Sequence, residues 1–267
     1  MTATAAEAPR MPLGAHLREA RRRAVASAAA LLVGAVAGYL LSDLILEVLR
    51  TPIEQLAESR NASLNYDSVT GAFDLRMRIA LVAGIVLSSP VWLYQALAFL
   101  VPGLRRRERR YVFGFLGAAV PLFLGGCLLG FWIFPHVVEL LAGFASSDDS
   151  TLLRASDYVD FVTKLVLATG IAFVLPAFLV LLNLMGLLPA RAIARSWRYS
   201  VVAIVAFAAL VTPAADVLSM FLVAVPMALL FGTALLVSWL HDRAVARRAV
   251  TEAAAASPAA VGVGSGV

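Results

Sequence analysis

The sequence predicts an all-α integral membrane protein, with six transmembrane helices in a curved, concave bundle and both termini cytoplasmic (N-in/C-in). Three observations carry that reading. Apolar residues make up 61% of the chain and the mean hydropathy is +0.87, more than the core of a soluble domain of 267 residues requires. The charges sort by side when the chain is threaded through six apolar runs. The segments assigned inside hold 16 basic and 5 acidic residues, those assigned outside 6 basic and 12 acidic ones, the bias that sets membrane orientation. Prolines at positions 90, 121, 176 and 226 fall near the middle of four runs, where each removes a helix hydrogen bond and bends the rod.

Residues 1–12 lack an apolar core followed by a cleavage site and read as a flexible tail rather than a signal peptide. His16–Arg23, HLREARRR, is the first basic segment, and the first span follows over about 24–46. About 20 apolar residues give roughly 30 Å of helix, enough to cross the hydrocarbon core. An external acidic segment comes next, in which Pro52 is expected to break any continuous helix and Asn61–Gly71 to form a loop. The second span, about 79–101, ends at Pro102-Gly103 and five arginines, where the missing amide hydrogen and the left-handed freedom of glycine stop a helix.

The third span, about 111–134, leads to a second acidic external segment, and the fourth, about 159–186, descends to Arg191, Arg195 and Arg198. The fifth, about 196–211, offers only some 16 residues, or roughly 24 Å, so either the bilayer thins there or the helix stops short of one face. A tight external turn at Thr212–Asp216 precedes the sixth span, about 217–240. The organisation expected is thus a tail at 1–12, a membrane domain at 13–248 and a disordered Ala/Gly/Ser tail at 249–267.

The basic balance reads as a topology signal and not as a nucleic-acid site, because the arginines cluster beside apolar runs. Cys127 has no partner in the chain, which leaves no disulfide framework and no cysteine metal site. None of the nucleophile, zinc-protease, Walker or dinucleotide motifs occurs, so no catalytic residue, metal or cofactor is expected and the chain reads as a non-enzyme. The middles of the spans carry no Asp, Glu, Lys or Arg, which disfavours a proton-coupled transporter. A channel or a sodium-coupled carrier working through backbone carbonyls stays open.

Two carboxylates remain in the cytoplasmic basic segments, Glu19 and Glu108. Glu19 can form a helix pair with Arg22 or Arg23, and Glu108 can favour the N-terminus of the third span. Alternatively, both offer planar bidentate acceptors to guanidinium groups of a ligand.

HLREARRR, Pro52 in TPIEQL, SSPVWLYQALAFLVPGLRRRERR, AFVLP at Ala172–Pro176 and TPAADVLS, followed by Val225-Pro226, together resemble the TatC family, the multispanning receptor subunit of the twin-arginine protein translocase. The likeness covers about Pro12 to Leu240. It implies that Glu19 and Glu108 bind the paired arginines of signal peptides, with Pro52 and Phe99 supporting that receptor surface. It also implies a prokaryotic plasma membrane, single-span TatA/TatB-type partners, self-association and export of folded cargo driven by the proton-motive force. Asp216 matches an acid the family carries after the external turn, though with one extra residue before it, and serves equally as an N-cap of the sixth helix. Thr212 falls in the same turn, where a polar patch would meet a single-span partner. Departures from the family pattern are Val174 where many members carry Glu, Met220 where many carry Gln and Gly232 where many carry Glu. The competing readings are a six-span solute transporter or channel, and a purely scaffolding subunit.

Overall fold

The computed structural model describes residues 13–60, 63–65, 70–100, 109–143, 152–211 and 217–256. The helices in chain order are α1 (Leu13–Leu40), α2 (Ser42–Arg60), α3 (Gly71–Leu87), α4 (Ser89–Leu100), α5 (Arg109–Gly143), α6 (Ala155–Leu184), α7 (Ala190–Arg195), α8 (Trp197–Val211) and α9 (Val217–Ala256). Two three-residue strands, β1 (Ser63–Asn65) and β2 (Leu152–Arg154), pair in parallel with Ser63 opposite Leu152. The all-α expectation therefore stands, with one short ladder added.

α1, α5, α6 and α9 are each long and apolar enough to cross a membrane. α3 and α4, a pair bent by 60°, are together long and apolar enough for a fifth crossing if taken as one broken span, and α8, at 15 residues, is the short sixth apolar helix. Several boundaries differ from expectation: α3 starts at Gly71, ahead of 79, and α5 runs on to Gly143, past 134. The first span ends at Leu40 rather than near 46, because the chain turns at Leu41 and restarts as α2, with Ser42 Oγ donating to the Tyr39 carbonyl at 2.7 Å. α2 runs through position 52, where a break was expected; a helix tolerates one proline at the loss of one hydrogen bond when packing holds it. That packing comes from Leu46 and Leu49, one turn apart and both buried. β1 occupies part of the expected 61–71 loop. α9 extends to Ala256, eight residues beyond 248, through an alanine-rich stretch of the highest helix propensity. The tails at 1–12 and 257–267 lie outside the described residues, as does the turn at 212–216.

The chain forms two compact units. Unit 1 is Met1–Val112 with Ala142–Leu167, and unit 2 is Phe113–Leu141 with Ala168–Val267.

In unit 1, α1 packs most extensively on α3, and small residues allow it. Gly34 and Gly38, four residues apart on α1, face Gly84 and Ala80, four apart on α3. A Cβ added to Gly34 would lie 2.6 Å from the Gly84 carbonyl oxygen, and one on Gly38 2.5 Å from that of Ala80. In lipid the apolar surface gains nothing by leaving its solvent, so close backbone approach and van der Waals contact must supply the association. On the acidic side of the unit, Arg78 bridges Asp74 at 2.8 Å and Asp160, Arg76 pairs with Asp43 at 2.6 Å, and the buried Tyr158 hydroxyl donates to the Leu49 carbonyl at 2.8 Å. These bonds tie α2, α3 and the start of α6 together.

In unit 2, α5 and α6 use the same device at Gly126, where a Cβ would meet the Thr169 carbonyl at 2.6 Å. Phe123, Phe134, Ile133, Leu181 and Val223 fill the core, and Phe115 meets Phe178 edge to face at 6.4 Å. α6 ends at Leu184, and Gly186 takes the left-handed conformation (φ 73°) that turns the chain. The turn is then fastened to α9. Asn183 donates to the Leu188 carbonyl and to Asp242, both at 2.9 Å, while the Ala190 amide donates to Asp242 at 2.7 Å. The Ala190 amide, ahead of the Asn183 amide, holds the Asp242 carboxyl below the ordinary carboxylate range.

Candidate functional site

The bend between α3 and α4 positions the site. Pro90, second residue of α4, has no amide hydrogen and clashes with a straight continuation, so the helix breaks at Ser88. Chain groups near the break find new partners: Val91 and Trp92 amides donate to the Ser88 carbonyl, and the Trp92 indole donates to the Ile85 carbonyl at 2.9 Å. Backbone groups at membrane depth need such internal partners. Past the bend, α4 packs on α1 and brings Gln95 to Arg23.

There Glu19, Arg23 and Gln95 form a chain of contacts. Arg23 Nη2 lies 2.6 Å from Glu19 Oε1, one helical turn away on α1, and Arg23 Nη1 donates to Gln95 Oε1 at 3.3 Å. The Glu19 side chain is 40% exposed and that of Arg23 24%. Arg23 Nε is buried without a partner. Among the described residues, no second ion pair reaches Glu19, so Oε2 keeps its lone pairs for a further donor. The helix-pair reading of Glu19 is realised, yet the carboxylate remains accessible. Arg18, Arg21 and Arg22 stand exposed on the same stretch of α1.

Arg23 is one of the two helix partners that the sequence offers Glu19. Gln95 is the residue that reading misses, its only signal being a lone amide in an otherwise apolar helix, SPVWLYQALAFL. Phe99 lies one turn beyond Gln95 and is half-buried. Position 52 lies within α2. Glu108, Thr212 and Asp216 lie outside the described residues, so the pairing of Glu19 with Glu108 stays an expectation. Val174 on α6 and Met220 on α9 are half-buried, and Gly232 on α9 faces open space.

Unit 2 holds an apolar groove of about 280 Å³ between α5, α6 and α9, lined by Phe115, Leu122, Pro176, Leu181 and Val237 among others. It contains no titratable side chain. No group of three or more His, Cys, Asp or Glu comes together among the described residues.

Comparison with known proteins extends this picture over nearly the whole chain. The family model of the Sec-independent protein translocase protein (TatC) matches residues 15–226. The Sec-independent protein translocase protein TatC of Xylanimonas cellulosilytica is 44% identical over 247 residues, covering 92% of this chain and 90% of that one. The TatC of Rothia mucilaginosa is 36% identical, covering 88% and 81%. A crystal structure of the twin-arginine translocase receptor TatC superposes with a TM-score of 0.70 at 30% identity, covering 84% of this chain and 98% of that one.

Proposed function

The chain belongs to the TatC family of Sec-independent protein translocase proteins, and from that premise we propose that it is the core receptor subunit of a bacterial twin-arginine translocation system. It is a multi-pass membrane protein of a protein-export machine. Its work is recognition and assembly, not catalysis, and it needs no cofactor. The family relation favours this reading over a six-span solute transporter.

Recognition begins at the cytoplasmic mouth, with both termini on that side as the charge distribution argues. A signal peptide presents two guanidinium groups, and Glu19 and Glu108 accept them. Arginine suits such a site because its rigid fork matches a carboxylate with two parallel bonds. The observation that carries the proposal is the state of Glu19: held in register by Arg23, itself held by Gln95 of another helix, and 40% exposed, with only one oxygen in an ion pair among the described residues. An incoming guanidinium meets a carboxylate whose rotamer is already fixed, which lowers the entropy lost on binding. Phe99, one turn beyond Gln95, supports this surface, and Pro52, in the external segment, supports the receptor fold from the other side. The apolar part of the signal peptide lies along the concave bundle, and single-span TatA/TatB-type subunits, together with further copies of this chain, assemble against its spans near Thr212 and Asp216. Folded cargo is exported with the proton-motive force as the energy source.

The test is binding of a labelled signal peptide to the purified protein. An Arg-Arg peptide should bind at least about tenfold tighter than its Lys-Lys version, about 1.4 kcal/mol, and Glu19→Ala or Glu108→Ala should erase the difference. Equal binding of the two peptides would sink the mechanism.

A further inference from the structure

One end of unit 2 carries more positive charge than the protein itself neutralises. α7 supplies Arg191 and Arg195, the first turn of α8 supplies Arg198, and α9 supplies Arg243, Arg247 and Arg248 just past its apolar stretch; all six are exposed. The three helices pack on one another. The 2.7 Å bond from Ala190 to Asp242 also sets the residues that follow each, Arg191 and Arg243, at the same end. Acidic side chains are scarce there. Asp242 is taken up by Ala190 and Asn183, and Glu252 is the other acid among the described residues of these helices.

Two indoles mark the depth of this cluster. Trp197 opens α8 at 52% exposure with the Arg198 guanidinium 5.8 Å from its ring centre, and Trp239 is 47% exposed with Arg243 stacked over it at 5.1 Å. Each tryptophan stands where an apolar helix meets its polar end. Amphipathic rings at that position rest at the level of lipid headgroups. A guanidinium stacked on such a ring is therefore held at headgroup depth, with its donor fork directed at whatever anion lies there.

We infer that this end of unit 2 is a docking surface for acidic phospholipids, with Arg191, Arg195, Arg198 and Arg243 binding the phosphate groups and Trp197 and Trp239 seating against the acyl boundary. Charge complementarity selects the occupant: six exposed guanidinium groups against two carboxylates, one of them taken up by Ala190 and Asn183, attract anionic lipid, and the bidentate fit favours phosphate. The surface attracts the opposite charge from Glu19, which lies in unit 1, so this inference and the receptor reading fail separately.

The experiment is native mass spectrometry of the purified full chain, titrated with equal amounts of phosphatidylglycerol and phosphatidylcholine. The expected result is at least about fivefold more bound phosphatidylglycerol. Combined Arg191→Gln, Arg195→Gln, Arg198→Gln and Arg243→Gln should bring that ratio close to one, while Arg105→Gln, Arg106→Gln and Arg107→Gln together should leave it in place. Millimolar inorganic phosphate should not displace the lipid. Equal binding of the two lipids by the unaltered protein overturns the inference without recourse to any variant. Equal loss in both sets of variants, or displacement by free phosphate, also overturns it.

Discussion

Gly34 of α1 and Gly84 of α3 touch backbone to backbone: a Cβ on Gly84 would lie 2.6 Å from the Ala35 amide nitrogen, and one on Gly34 equally close to the Gly84 carbonyl oxygen. The helix that bears Glu19 is therefore seated by the absence of side chains. Atoms of the backbone cannot step aside as a flexible side chain would.

Gly34→Val should push α1 off α3 and destabilise the protein by about 1–3 kcal/mol, the usual cost of overpacking. Gly125→Ala and Gly232→Ala, where nothing lies within 4 Å, should be neutral or slightly stabilising through helix propensity. Thermal unfolding in detergent reads both. A Gly34→Val protein as stable as the parent would mean that the crossing is looser than the structure has it.

Arg23→Gln should weaken binding of an Arg-Arg peptide by about twofold, because the ligand then meets a Glu19 carboxylate whose rotamer is no longer fixed. A partly exposed pair of this kind contributes about 0.2–1 kcal/mol. Tighter binding would show that the internal cation competes with the ligand for Glu19 and does not prepare it.

Asp242→Ala removes the acceptor of the Ala190 amide and one of the two acceptors of Asn183. The expected loss is about 1 kcal/mol, at the low end of the range for orphaned donors, because the carboxylate is 38% exposed. Tryptic cleavage after Arg191 and Arg195 should accelerate as the turn comes free. The pH dependence has a definite sign. The folded pKa is depressed, so the contribution is complete above the ordinary carboxylate value of about 4 and disappears as pH falls through the lower folded value. The stability gap between parent and Asp242→Ala should close only in that acidic window. A gap that narrows near neutral pH would point to another group.

Tyr158→Phe deletes the hydroxyl that reaches the Leu49 carbonyl from 109 residues away. Loss of a buried bond with the acceptor left behind should cost about 1–2 kcal/mol, read as a lower unfolding midpoint with the spectrum of the folded state intact. An unchanged midpoint would show water taking the place of the hydroxyl.

What the sequence disclosed and what it withheld divide along physical lines. Apolar runs, arginine clusters and Pro90 act locally, so six apolar helices and the bend beside Pro90 could be read from one strand of text. The Gly34–Gly84 crossing, the Gln95–Arg23 contact and the Asp242 clasp depend on which helix lies beside which, and a single chain read residue by residue holds that only implicitly. Pro52 misled because a proline's penalty is finite and Leu46 and Leu49 anchor the helix around it. The alanine-rich end of α9 misled in the opposite direction: too few large side chains to pack, yet the best backbone former. Glu19 was legible through its family pattern, its engagement by Arg23 only as one of two alternatives.

The β1–β2 ladder has a bearing on the order of biogenesis. Its strands run parallel, so the connection between them must cross over rather than turn back, and here that connection comprises α3, α4 and α5. Ser63 leaves the ribosome 89 residues before its partner Leu152, an interval of about 5–20 s at ordinary rates of synthesis. During that time the first strand waits with its edge open while two further crossings are inserted. The ladder can close only after the intervening helices have been made, which puts this pairing among the later contacts of its unit to form.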